Sequence, residues 1–425
     1  MVYSKKNRSS SYIPENKDLV ALNSISLHTH ALFCLVLFID VSMLCFMISE
    51  ISIYSKEARG FFSNSTLPDH IANFGVGVIQ YFFHNPMLND YGLRLPFVCL
   101  HIINCILLYA ISIHILRKPK DALLCVLLFM SLPGVSVQAL VVSNMEILTF
   151  LCFLIVYVQV RYRRIAYELF FIIIFLDSGG AILCLALFFY AISARKNYTI
   201  IFSTVCFGIN IYLFVPIHGV PNSYFTDTLG LMAIVFTPVF FVYYISISYN
   251  YTFSKEPLLL HFIPFIGFIF ILLISTRQKI DVESFFPILC VGIPCFIQRV
   301  SFSISSRLPQ FRFNYKMRVY ILVLFLAFEN IMLFGNKLTY LFVEKHNFTY
   351  SFYEAKEVAK ALYERNITNI NVPYTDLALR LRFYGINADS KSMPKYTLRA
   401  STKGQIKIIY CNVKVAQYAI VPLKH

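Results

Sequence analysis

The sequence predicts a polytopic α-helical membrane protein of about eleven transmembrane helices, followed by a small C-terminal α/β domain outside the membrane. Three observations predict it. Hydrophobic residues make up 58% of the 425-residue chain and charged residues only 14%, which is too apolar for a soluble globule. Apolar runs recur along the first 336 residues. Basic clusters fall at nearly every second boundary between those runs: Lys5, Lys6 and Arg8; Arg117, Lys118 and Lys120; Arg161, Arg163 and Arg164; Arg195 and Lys196; and Arg299 to Arg318. The boundaries between them carry acids, His, Asn and Gly.

A membrane helix needs roughly 20 apolar residues, fewer where it is re-entrant. His28–Ile48 is the first candidate. Leu93–Leu116, Ala122–Val137 and Val141–Val160 follow. Ile165–Leu176 and Ala181–Ala194 are short, and Asp177-Ser178-Gly179-Gly180 between them is a turn signal, so the pair reads as a hairpin. Thr199–Val215, Leu229–Tyr249, Pro257–Ser275, Phe285–Ile297 and Val319–Phe334 complete the set. With the N-terminus inside, the basic clusters fall in cytoplasmic loops and the C-terminal region falls outside. The net charge of +15 is then a topology signal and calls for no nucleic-acid partner. Before the tail, only Lys56, Arg59, Arg277 and Lys279 place cations on the outer side. The basic N-terminus leads into an apolar run without a small-residue cleavage site, so no cleavable signal is expected.

Two outer segments are large. Within 49–92, Ser49–Ala72 is polar, and Asn73–Phe83 is an amphipathic run suited to a helix lying in the interface. Residues 337–425 are soluble in character and basic. Helices are expected at Phe352–Arg365 and Thr375–Tyr384, the second stopped by Gly385. Strands are expected at Asn369–Pro373, Ile406–Tyr410 and Tyr418–Val421. All 11 cysteines except Cys411 fall in apolar stretches, where Cys acts as a small hydrophobe. Trp is absent, so Tyr must supply much of the interfacial aromatic belt.

Candidate chemistry collects on the outer side. Glu50 sits where the first span leaves the membrane, a position that suits a general base. Spacing places Glu50, Tyr54 and Glu57 near one helical face. Asp69 and His70 are adjacent, and their types suit a sugar hydroxyl or a divalent metal; no other cofactor is indicated. Arg94, at a span entrance, must pair or reach lipid headgroups. Arg277 and Lys279 suit a phosphate at the membrane surface, or pair with Asp281 and Glu283. Asn144, Glu146 and Asp177 complete an outward-facing polar set.

In order, these pieces resemble the GT-C glycosyltransferases, in the branch of protein O-mannosyltransferases and aminoarabinose transferases of lipid A. The residues that carry the likeness are Glu50 and Tyr54, then Gly92-Leu93-Arg94-Leu95-Pro96. Leu132-Pro133-Gly134 before Asn144–Glu146, and Arg277 and Lys279 before Phe285-Phe286-Pro287, extend it. It covers about 1–300, with 91–160 the most specific part; the tail is similar only in position and α/β character. The resemblance implies transfer of a sugar from a polyprenyl-phosphate donor to a lipid, glycan or protein acceptor. It places that reaction at the outer face of a bacterial inner membrane, with a periplasmic C-terminal domain. It makes Glu50 and Asp69 catalytic and Tyr54, His70, Arg94 and Glu146 substrate-binding. Arg277 and Lys279 bind the donor phosphate. Ser49 stands where the family carries an Asp. Two alternatives are a non-catalytic relative that binds lipid-linked glycans and a transporter or flippase for them.

Overall fold

The computed structural model describes residues 16–116, 118–214, 222–253, 258–280, 282–335, 337, 340, 353–388, 395–401, 404–411 and 413–422. The cluster Lys5 to Arg8, and Arg117, Asp281 and Phe352, lie outside them. Among the described residues, five helices are long and apolar enough to cross a membrane, or up to seven if each of two bent pairs is one span.

Helix α1 (Asn16–Glu50) is followed by an extended segment and by two helices of the outer loop, α2 (Ser55–Ser63) and α3 (Leu67–Phe83). Then α4 (Asn89–Ile115) begins four residues before the expected Leu93. The expected interfacial helix is α3, and it also packs closely on α4. A Cβ on Gly75 would stand 2.2 Å from the Gly92 carbonyl oxygen, so two glycines make the crossing. Its other face leaves Phe74, Tyr81, Phe82 and Phe83 exposed.

Helices α5 (Pro119–Met130) and α6 (Pro133–Leu140) meet at 64°. The break follows from Pro133, which holds Leu132 extended and starts α6. Helix α7 (Met145–Tyr162) follows, then the short hairpin of α8 (Tyr167–Ile174) and α9 (Gly180–Ser193). Asp177 closes that hairpin by accepting from the Gly179 N–H at 2.9 Å. After α10 (Asn197–Phe214), the stretch expected as one span divides into α11 (Phe225–Phe236) and α12 (Pro238–Thr252), bent by 100°. Thr237, with φ 62°, and Pro238 make that break. Helices α13 (Leu259–Ser275), α14 (Val282–Leu289), α15 (Ile293–Ser305) and α16 (Pro309–Phe334) complete the bundle.

Hydrogen bonds and close contacts identify the two ends of the bundle. The Leu259 N–H donates to Gln159 Oε1 at 2.9 Å, so α13 starts where α7 finishes. Farther along α13, a Cβ on Gly267 would lie 3.1 Å from Ile182 at the start of α9. Residues beyond Ser275 therefore lie with the starts of α7 and α9. The end of α1 and the start of α4 are at this same end. Lys118, Arg161, Arg299 and Arg318 cluster at the opposite, basic end.

The tail contains α17 (Glu354–Tyr363), α18 (Thr375–Phe383) and an antiparallel sheet of β1 (Tyr396–Ala400), β2 (Ile406–Tyr410) and β3 (Val413–Pro422), in the order β1-β3-β2. Three expectations change here. Asn369–Pro373 forms only isolated bridges, β1 is additional, and β3 is longer than Tyr418–Val421. Among the described residues the tail shares its core with the outer loop: Leu362, Leu381, Tyr384 and Ile420 pack in one cluster with Ile53, Ala58, Val76, Leu93 and Phe97.

Candidate functional site

Arg94 is 1% exposed and organises the tail-bearing end. Its guanidinium donates to the carbonyls of Leu140 at 2.8 Å, Ile51 at 3.1 Å and Ser52 at 3.1 Å. It also pairs with Glu57 at 3.2 Å and Asp90 at 3.5 Å. From the tail, Lys356 pairs with Asp90 at 2.8 Å, and the Tyr384 hydroxyl donates to its two oxygens at 2.9 and 3.1 Å. Arg380 donates to the Ile53 carbonyl at 2.8 Å and to Ser52 Oγ at 2.9 Å. Burial and the neighbouring Asp90 carboxylate push the Tyr384 hydroxyl well above its ordinary value. This network joins α1, α2, α4, α6 and the tail. Fully enclosed, Arg94, expected at the substrate, acts in this structure as an architectural clamp.

The network also explains why Glu50, Tyr54 and Glu57 do not share a helical face. Arg94 and Arg380 take the carbonyls of residues 51–53, which a continuing helix would need. α1 therefore ends at Glu50, and Tyr54 becomes the residue that starts α2. Its N–H donates to Glu57 Oε2 at 3.0 Å, while Val142 N–H donates to Glu57 Oε1 at 3.1 Å.

Glu50 is half-buried at the seam between α1 and the tail, where it pairs with Lys337. The Lys337 ammonium lies 5.0 Å from the Tyr353 ring and 5.2 Å from the Tyr410 ring. Lys356 donates to the Ser49 carbonyl at 2.7 Å. Ser49 Oγ donates to the Phe46 carbonyl one turn back at 2.6 Å.

Asp69 is buried and caps α3, accepting from the Thr66 N–H at 3.0 Å and the Thr66 hydroxyl at 2.6 Å. The carboxylate of Asp69, expected to be catalytic, is engaged at the helix terminus in this structure. His70 beside it is exposed. Among the described residues no group of three or more His, Cys, Asp and Glu side chains is placed to hold a metal ion.

A second polar cluster lies deeper, between α1, α4 and α7. His101 Nε2 stands 3.0 Å from Asp40 Oδ2, and its Nδ1 stands 3.4 Å from Glu146 Oε1. Asn104 donates to both the carboxylate and the carbonyl of Glu146. His101 and Glu146 are fully enclosed, and Asp40 is only slightly exposed. Glu146, expected at the substrate, thus faces a histidine inside the bundle. Sequence reasoning missed His101, though a signal existed: Asp90, Arg94, His101 and Asn104 lie along one face of α4.

Arg277 and Lys279 are exposed in the turn after α13. That turn is held by the Asn222 N–H donating to the Arg277 carbonyl and the Tyr224 N–H donating to the Ser275 carbonyl, both at 2.9 Å. They share an end of the bundle with Glu50, Arg94 and Glu146. Among the described residues no hydrogen bond or ion pair links them to those groups.

No family model matches the chain, and no curated protein or solved structure matches it.

Proposed function

We propose that the protein is a membrane-embedded glycosyltransferase that moves a sugar from a polyprenyl-phosphate donor to a lipid, glycan or protein acceptor. The reaction would take place at the tail-bearing end, outside the cytoplasm of a bacterial inner membrane. The observation that carries this reading is the placement of Glu50: a half-buried carboxylate at the end of the first span, at the same end of the bundle as the exposed Arg277 and Lys279.

In the reaction, an acceptor hydroxyl oxygen bonds to the anomeric carbon of the donor sugar. The bond from that carbon to the phosphate oxygen breaks, and polyprenyl phosphate leaves with the electron pair. Glu50 takes the hydroxyl proton once Lys337 swings aside. Arg277 and Lys279 would stabilise the phosphate charge as it develops. The buried network around Arg94 supports this reading by fixing the segment that follows Glu50.

The test compares envelope lipids and glycans by mass spectrometry in cells with the wild-type protein, with Glu50→Gln and without the protein. A sugar mass increment should appear with the wild type and vanish in the other two. Spectra identical with and without the protein would remove the transferase reading.

The Asp40, His101 and Glu146 cluster favours a second reading, proton-coupled movement of a lipid-linked glycan. Its mark would be glycan-dependent proton uptake by proteoliposomes, lost in His101→Ala.

A further inference from the structure

At the basic end, away from Glu50, α16 leaves a groove against α5, α12 and α15. Its volume is about 910 Å³, and an adjoining alcove adds about 410 Å³. The groove wall is mostly apolar, with Leu128, Val239, Phe296 and Leu322 among its residues. The alcove is more polar, and the two spaces share Lys118, Asp121, Arg299, Ser301 and Ser305. Arg318 and Tyr243 also line the groove.

Helix α16 is tied to the bundle near both edges of this groove. Arg318 donates to the Tyr243 hydroxyl at 3.2 Å, and Asn330 donates to the Ser131 carbonyl at 2.6 Å. Those ties are twelve residues apart, about 18 Å of helix. Half of a hydrocarbon core of roughly 30 Å is similar in length. Between the ties, only Leu322 and Leu326 of α16 are buried.

We infer that this groove binds one anionic phospholipid, with an acyl chain beneath α16 and its phosphate among Lys118, Arg299 and Arg318. The charge at the mouth favours an anion. Among the described lining residues the one acid, Asp121, already accepts from the Ser301 hydroxyl at 2.8 Å. Arg318 is further held with its guanidinium 4.9 Å from the Tyr315 ring. A lipid chain gains no hydrophobic free energy by leaving the bilayer for an apolar groove. Retention must therefore rest on the headgroup, and guanidinium groups bind phosphate with two parallel hydrogen bonds. The occupant is read as a membrane lipid because the apolar space is contiguous with the polar alcove.

The absence of Trp from the chain provides a clean reporter. Ala327→Trp places an indole on the groove wall, and Tyr212→Trp places one on the exposed face of α10. The full chain is reconstituted into phosphatidylcholine vesicles containing a minor fraction of brominated phosphatidylglycerol or brominated phosphatidylcholine. Brominated phosphatidylglycerol should quench Ala327→Trp several-fold more than brominated phosphatidylcholine, while Tyr212→Trp should show no preference. Adding Arg299→Ala and Arg318→Ala should weaken the preference roughly fivefold for each cation removed. Ile304→Trp, also on the groove wall, serves if Ala327→Trp does not fold. Equal quenching by the two lipids at the groove would overturn the inference.

Discussion

Tyr384 of the tail donates its hydroxyl to Asp90, at the start of α4, across 294 residues of sequence. The same oxygen accepts from the Ile53 N–H at 3.1 Å, so one phenol satisfies both an acid and a backbone donor. Tyr384→Phe removes both bonds and leaves buried polar groups unmet. Stability should fall by about 1–3 kcal/mol, read as a lower unfolding temperature in detergent. Limited proteolysis should release the tail faster in the variant.

The same phenol sets an alkaline limit. Burial holds its folded value well above the unfolded value of about 10. The neutral form therefore contributes stability that is complete below about pH 10 and is lost as pH rises towards the folded value. The gap in unfolding temperature between wild type and Tyr384→Phe should narrow above pH 10. A gap unchanged from pH 8 to pH 11 would show that titration of this group does not hold the tail.

Arg94→Met would leave Glu57 and Asp90 without their shared cation, a loss of roughly 3–5 kcal/mol. Arg94→Lys should recover little of it. A single ammonium cannot serve three carbonyls and two carboxylates in the geometry that the guanidinium uses. Thermal unfolding of both variants checks this, and wild-type stability in Arg94→Lys would contradict it.

Glu50→Gln and Asp69→Asn should separate function from architecture. The first should abolish sugar transfer with little effect on stability, since its ion pair is partly exposed. The second should weaken the α3 cap by about 1 kcal/mol without a matching loss of transfer. Unfolding temperature and transfer rate measured on both variants would show the contrast.

Gly75→Ala tests the crossing of α3 and α4. The added methyl meets the Gly92 carbonyl, and the overpacking should cost about 1–3 kcal/mol. Gly77, whose Cβ would meet nothing within 4 Å, provides the control, and Gly77→Ala should be nearly neutral.

The hydrophobic runs, the α8 and α9 hairpin, α3 and both tail helices were legible in the sequence because each depends on local periodicity and turn chemistry. The fate of Glu57 was not. Its spacing from Glu50 fits a helix, and the helix stops only because Arg94 and Arg380, far along the chain, take the carbonyls it needs. Arg94 at a span entrance demands partners, but nothing local in the sequence names them. His101 reads as a solitary histidine in an apolar run, and its two acids lie on other helices. The break at Thr237 was missed because the apolar pattern continues through it.

Translation runs from the N-terminus, so Asp90 is made well before the groups that neutralise it from the tail. At roughly 5–20 residues per second, the 294 residues to Tyr384 take about 15–60 s. Lys356 and Arg380 also arrive late. During that interval α4 through α16 must fold while the loop between α1 and α4 lacks its partners from the tail. A chain that stops before residue 356 lacks the Lys356, Arg380 and Tyr384 contacts, so its first loop is left with only the Arg94 half of the network.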